Sequence, residues 1–213
     1  MPDTRPLCRF YLVRHGQTEW NVAHKIQGQQ DSPLTKTGEE QAAQTAQKLA
    51  QVKFDRVFSS DLLRAQRTAE IIAADRELAI LTSELLRESR FGPYEGLTIN
   101  EFQTELREAI AERDALADEQ QMVFKLHPEV ESYDEVATRM LTFLREVAVA
   151  YPGENILVVS HAGIIRATLV KMGVGTNAEL NHGSIKNSSY AVIDSDGVDF
   201  FLKETSGIDK ERD

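Results

Sequence analysis

The chain has 213 residues, of which 41% are hydrophobic and 27% charged. That suits one globular domain spanning 1–213 with a substantial core. Its formal net charge of −10 opposes nonspecific adhesion to nucleic acid or to an anionic membrane, because both carry the same sign. The single cysteine, Cys8, excludes an internal disulfide framework and a multi-cysteine metal site, and it makes a reducing compartment, the cytoplasm, the expected location.

The apolar run Phe10-Tyr11-Leu12-Val13 is too short for a signal-peptide core or a membrane span, and with Arg9 it predicts a first strand. After a loop through Ser32-Pro33, the stretch Thr37-Gly38-Glu39-Glu40 reads as a capping box opening a helix to about Gln51. Arg56-Val57-Phe58 predicts a second short strand. Ser59-Ser60-Asp61 then offers cap residues to a helix whose apolar positions, Leu62, Ala65, Ala69 and Ile72, recur at helical spacing. A further capping box, Thr98-Ile99-Asn100-Glu101, precedes Ile99, Phe102, Leu106, Ala109 and Ile110 on one helical face, predicting a helical excursion from the core sheet over about 98–130. Ser132 caps a long helix through Tyr133, Val136, Ala137, Met140, Leu141, Leu144, Val147 and Ala148, which ends at Pro152-Gly153. Asn155 to Val159 is a continuous apolar run, as expected of a buried strand. Ser160-His161-Ala162-Gly163 leads into another helix. Tyr190 to Ile193 and Val198 to Leu202, around Ser195-Asp196-Gly197, predict a closing hairpin. Strands alternating with helices place the chain in the α/β class.

On this map Arg14-His15-Gly16, Ser60 to Arg64 and Ser160 to Gly163 each follow a strand. Ligands of open parallel sheets bind outside the carboxyl ends of strands, so these clusters are expected to converge although distant in sequence. Convergence sets Arg14, His15, Arg64 and His161 around one point. So much potential positive charge in an acidic chain calls for an anion, and guanidinium forks match phosphate oxygens. The two helices that follow the second and third clusters also aim their amino ends at the crevice. His24, His127 and His182 are read as hydrogen-bonded structural residues, and Arg67 as surface.

The stretches LVRHGQTEWN, FSSDLLRAQRTAE, LLRESRFGPYEG and VVSHAG, in this order, make the chain similar to the histidine phosphatase superfamily, also called the phosphoglycerate mutase-like family, from Phe10 to about Tyr190. The resemblance implies a three-layer α/β/α fold with a mostly parallel central sheet, and the 98–130 excursion lying over the active site. It implies that His15 is a nucleophile that becomes phosphohistidine and that Arg14 and Arg64 bind phosphate. It further implies that His161 is the second histidine of the phosphate pocket and Glu88 the general acid. Asn21 and Gln27 match polar residues lining the pocket, and Gly163 is counted with the phosphate-binding residues.

That assignment is chemically coherent. A neutral imidazole attacks phosphorus through one ring nitrogen while the other donates to a carbonyl that fixes the tautomer. Gly16 lets the chain bend close beside it. Arg14, Arg64 and His161 compensate charge on the equatorial oxygens without a metal or other cofactor. Glu88 protonates the leaving oxygen, then takes a proton from water; Glu19, Glu70, Glu84 and Glu95 compete with it on position alone. The expected activity is metal-independent hydrolysis of a small phosphorylated metabolite by a monomer or homodimer. A cofactor-dependent phosphoglycerate mutase and a non-catalytic phosphate-binding module are the alternatives. The interval between Glu88 and His161 is short for the mutase branch, which favours hydrolysis. Where many related phosphatases show a GGES-like stretch this chain has Glu129-Val130-Glu131-Ser132, so the backbone of that loop is expected to differ.

Overall fold

The computed structural model describes residues 6–211. In chain order it contains β1 (Cys8–Arg14), α1 (Glu19–Val22), α2 (Lys36–Lys48), β2 (Arg56–Ser60), α3 (Leu63–Ala73) and β3 (Ile80–Ser83). After these come α4 (Ile99–Glu105), α5 (Arg107–Asp114), α6 (Asp118–Val123), α7 (Tyr133–Ala150), β4 (Asn155–Ser160), α8 (Ala162–Lys171), β5 (Ile185–Ser195) and β6 (Phe200–Ile208). The strands form one sheet in the order β3-β2-β4-β1-β5-β6. β3, β2, β4 and β1 run parallel, β5 adds antiparallel to β1, and β6 adds antiparallel to β5.

Side-chain alternation along the central strands divides the core into two halves. Phe10 and Leu12 of β1 and Ile156 and Val158 of β4 face a cluster built with Met140 and Leu144 of α7 and Ile164 and Ile165 of α8. Val13, Leu157 and Val159 face the opposite side, where Ala42 of α2 and Ala65, Ala69 and Ile72 of α3 cover them. Helices therefore lie on both faces of a mostly parallel sheet, the expected three layers. The continuous apolar run of β4 follows from this double coverage, since every residue from Ile156 to Val159 is buried.

Several predicted boundaries move. The cap of α2 is Thr35, whose side chain accepts from Gly38 N–H at 3.0 Å, not Thr37, which lies in the first turn. None of Ser59, Ser60 or Asp61 is the N-cap of α3. The N-cap position is Leu62, which has no side-chain oxygen, and the Asp31 carboxylate from a distant loop accepts from Leu63 N–H at 2.8 Å and Arg64 N–H at 3.4 Å. A local sequence pattern cannot reveal a cap supplied across the fold. β3 was not predicted because it is four residues long and half-buried on an edge.

The 98–130 stretch begins at the expected Thr98–Glu101 capping box but breaks into three short helices. Leu106 leaves helical geometry at φ −105°, ψ 20°, so Phe102 and Leu106 share a small cluster with Tyr94 and Val130 while Ile99 is exposed. The closing hairpin is longer than predicted. Its first strand starts at Ile185, in a polar segment with a register shift before Tyr190 and a positive φ of 55° at Ser188. The GGES-like position needs no glycine: none of Glu129 to Ser132 has a positive φ, Val130 is buried, and Ser132 caps α7. No helix among the described residues is long and apolar enough to cross a membrane.

Candidate active site

The carboxyl ends of β1 and β4 are adjacent, in register Arg14 opposite Ser160, and this brings His15 and His161 together with ring centroids 5.1 Å apart. His15 is buried and held by its backbone from both sides. Its N–H donates to Ser160 O at 3.0 Å, and its carbonyl accepts from Ser188 N–H at 3.3 Å and Asn187 Nδ2 at 3.1 Å. Gly16 N–H donates to Thr68 Oγ1 at 3.1 Å, which ties the loop to α3. Gly16 serves close approach rather than a bend. A Cβ there would stand 2.3 Å from Gly38 O, and one on Gly38 would stand 2.1 Å from Gln17 O, so the two glycines let the first turn of α2 lie against the histidine loop.

Chemistry fixes the tautomers of the two histidines. His15 Nδ1 lies 2.7 Å from Gly16 O; a carbonyl only accepts, so Nδ1 carries the hydrogen. Burial, then the Arg64 and Arg14 charges, hold this imidazole well below its ordinary pKa, leaving Nε2 with a free lone pair. Arg64 Nε, which only donates, lies 3.2 Å from His161 Nδ1. His161 is kept neutral by burial and by Arg64, so its Nε2 bears hydrogen, and that buried atom has no protein partner. One histidine presents a nucleophilic lone pair and the other a donor.

The two arginines differ. Arg64, 1% exposed, donates through Nη1 to Gln30 O at 2.6 Å and Asp31 at 3.0 Å, and through Nη2 to Gly28 O at 2.7 Å. With Nε on His161, one of its five N–H bonds remains for a ligand. Among the described residues Arg14 donates only to Ile185 O, at 2.5 Å, and its Nε is buried without a partner. Burial lowers its pKa to about 10 against the opposing pull of Glu88. Arg14 therefore keeps the freer guanidinium fork, while Arg64 also organises the 28–31 loop and His161.

Glu88 follows a short 3-10 turn and meets the first turn of α8. Its Oε2 accepts from Gly163 N–H at 3.0 Å, and its Oε1 from Ile164 N–H at 3.1 Å and Ser89 N–H at 2.8 Å. Gly163 lines the cavity, but its N–H is committed to Glu88 rather than free for phosphate. A Cβ on Gly163 would come within 2.5 Å of Glu88 Oε1, so the glycine admits the carboxylate. Asn21 and Gln27 both line the cavity. Asn21 Oδ1 accepts from Thr18 N–H and Asn187 Nδ2, and Gln27 Oε1 is buried and unpaired.

Other expectations change or hold. His182 lines the same cavity and meets the Tyr133 hydroxyl at 3.1 Å, so a structural reading alone does not cover it. His24 and His127 lie outside the cavity lining, and Arg67 is exposed and paired with Glu39 and Glu70. No sequence signal marks Arg139, which donates to Leu85, Arg87 and Glu88 carbonyls while pairing with Glu131. No apolar period or motif marks Asn187 and Arg166 either, and only the folded geometry does.

The family model of the histidine phosphatase superfamily (branch 1) matches residues 10–206. The chain is 32% identical over 183 residues to the uncharacterized phosphatase PhoE of Bacillus subtilis, covering 86% of each. It is 36% identical over 198 residues to a probable phosphoglycerate mutase, GpmB, of Photorhabdus laumondii, covering 88% of this chain and 85% of that one. Its fold superposes on Bacillus stearothermophilus YhfR with a TM-score of 0.82 at 28% identity, over 94% of this chain and 97% of that one.

Proposed function

The chain belongs to the histidine phosphatase superfamily, and from that premise we propose that it is a phosphatase which hydrolyses a small-molecule phosphomonoester through a phosphohistidine on His15. The observation that carries the reading is the pair of opposite tautomers. A neutral His15 offers Nε2 to phosphorus beside a His161 whose Nε2–H has no protein partner.

In the first step the His15 Nε2 lone pair forms the N–P bond as the P–O bond to the leaving group breaks. Arg14, His161 and the remaining N–H of Arg64 donate to the equatorial oxygens. Glu88, protonated, gives its hydrogen to the leaving oxygen. Its geometry accommodates this: Oε1 already accepts two N–H bonds, whereas Oε2 accepts one and can hold an O–H directed into the cavity. In the second step Glu88 takes a proton from water, the hydroxide oxygen bonds to phosphorus, and the N–P bond breaks to return neutral His15 and phosphate. A cavity of about 170 Å³ favours a metabolite over a macromolecular substrate.

Alkaline denaturing quench of the protein mixed with phosphoryl-labelled aryl phosphate in the presence of chelator tests the reading, because a phosphoramidate survives alkali and not acid. An acid-labile phosphoenzyme should accumulate or turn over, and His15→Ala should abolish both label and phosphate release. Glu88→Gln should keep labelling from activated aryl phosphates and stall on alkyl phosphates, which need their leaving oxygen protonated. Label retained in His15→Ala, or turnover strictly dependent on added divalent metal, would overturn the proposal. The probable phosphoglycerate mutase relatives favour a second reading, phosphoryl transfer between hydroxyls. Isomerisation of 3-phosphoglycerate faster than phosphate release would establish it.

A further inference from the structure

We propose that the outer part of the cavity is a second anion-binding subsite, centred on Arg166 and completed by Asn181 and His182, which selects phosphomonoesters that carry a further carboxylate or phosphate. This deepens the phosphatase reading and rests on it. Arg166 and Ala162 both line the cavity. They stand four residues apart on α8, one turn along the same face, about 6 Å in rise. Helical side chains lean toward the helix amino end, so the guanidinium is directed back toward the phosphate pocket.

The guanidinium is built in rather than solvated. Arg166 is 5% exposed and lies 4.8 Å from the Tyr133 ring centroid. It donates through Nε to Leu180 O, and through Nη2 to Asn177 O and Oδ1 at 3.0 Å each. Its partners there are neutral oxygens. Among the described residues no carboxylate forms an ion pair with it, and its other polar neighbours include the neutral Tyr133 hydroxyl and the like-charged Arg113. A buried cation facing a cavity without a counter-ion is costly, and burial lowers its pKa accordingly.

A phosphate bound at Arg14 and His15 does not remove this cost, because it neutralises the inner cations. A second anionic group on the same molecule, one helical turn away, does. The surroundings suit such a group: His182, exposed, and Asn181 offer polar atoms from the loop that Arg166 anchors, and Lys25 lines the same cavity with its ammonium 5.5 Å from the Trp20 ring. In a chain of net charge −10, this concentration of cations along one cavity, of which Arg64 alone pairs with a carboxylate among the described residues, is a local feature directed at a ligand.

The test compares kcat/KM for three alkyl phosphates: glycerol 3-phosphate, with an uncharged tail, 3-phosphoglycerate, with a carboxylate, and fructose 1,6-bisphosphate, with a second phosphate. The wild-type protein is expected to favour at least one doubly anionic substrate over glycerol 3-phosphate by tenfold or more, and the favoured one identifies the second group. Arg166→Gln should reduce that preference at least tenfold, Arg166→Lys should retain part of it, and His182→Ala should reduce it severalfold. If Arg166→Gln does not fold, the Lys and His182→Ala variants carry the same comparison. Equal wild-type rates on all three, or variants that slow all three alike as a purely structural clamp would, overturn the subsite and leave the phosphatase reading standing. Absence of phosphate release from these and from an aryl phosphate overturns the phosphatase reading, and the selecting role of Arg166 with it.

Discussion

Arg14 and Arg64 look interchangeable in the sequence, yet their hydrogen bonds assign them different burdens. Arg14 gives one bond to Ile185 O, and its buried Nε has no protein partner. Arg64 braces the carbonyls of Gly28 and Gln30 and sets the His161 tautomer. Vanadate affinity should therefore fall about tenfold to a hundredfold in Arg14→Ala, the loss expected when a charge-assisted bond of about 1.5–3 kcal/mol disappears. Arg64→Ala should lose affinity and also melt at a clearly lower temperature than Arg14→Ala, because it strands buried acceptors. Equal melting temperatures for the two variants would show that Arg64 does not hold the loop. Glu88→Gln carries a similar hidden cost. Its amide nitrogen faces Gly163 N–H where Oε2 accepted a bond, so a loss of about 1–3 kcal/mol of stability should accompany the leaving-group effect.

Between elements, close approach and buttressing decide the geometry that the side chains use. The Gly16–Gly38 contact sets α2 against the histidine loop. A Cβ at position 38 would sit 2.1 Å from Gln17 O, closer than any side chain tolerates, so Gly38→Ala should destabilise by about 1–3 kcal/mol, as overpacking does, and lower kcat by shifting His15. Chemical denaturation checks the first effect and aryl phosphate turnover the second; a variant as stable and active as the parent would mean the loop yields freely. On the other side, Arg139 on α7 ties the Leu85, Arg87 and Glu88 carbonyls to Glu131. Arg139→Ala should slow alkyl phosphates more than aryl phosphates, since it loosens the segment bearing Glu88, the proposed acid, and not His15, the proposed nucleophile. An equal effect on both classes would place Arg139 in general stability alone. Glu131 survives from the GGES-like pattern as the partner in this clamp, and the glycines before it do not, because Val130 fills the small cluster of the excursion instead.

At the scale of the molecule, two buried neutral histidines couple the site to folding. Both have folded-state pKa values below the unfolded value of about 6.5, so below that pH the unfolded chain binds protons that the native state refuses. Stability is full above about pH 6.5 and is lost as pH falls through the window between that value and the lowered folded values, with a slope of up to about 2.7 kcal/mol per pH unit when both contribute. Urea denaturation in phosphate-free buffer between pH 7 and 5 should show the decline, and His161→Gln should flatten it. A stability independent of pH across that range would mean that neither imidazole is held neutral. Cys8 offers a probe of the same transition. It is fully buried in β1, and its thiol is pushed up to about 12, mainly by burial, so it is inert until the sheet opens.

Hydrophobic periodicity is a property of each segment by itself. For that reason the sequence alone determined the α/β class, the long helix α7, the buried strand β4 and the three polar clusters after strands, and the ordered motifs determined the family. The parallel sheet then carried Arg14, His15 and Arg64 to one cavity, with His161 buried against His15 at its floor, as strand-end geometry requires, and the turn after β3 brought Glu88 to the same cavity. The tertiary structure alone decided how those residues are held, because each holding contact joins segments far apart in the chain: Asp31 capping α3, Gly38 admitting the histidine loop, Arg64 fixing the His161 tautomer, and the α8 amide groups binding Glu88. Short or half-exposed elements such as β3, and polar segments such as 185–189, have no period to read. Their conformation comes from neighbours that the linear sequence does not place beside them.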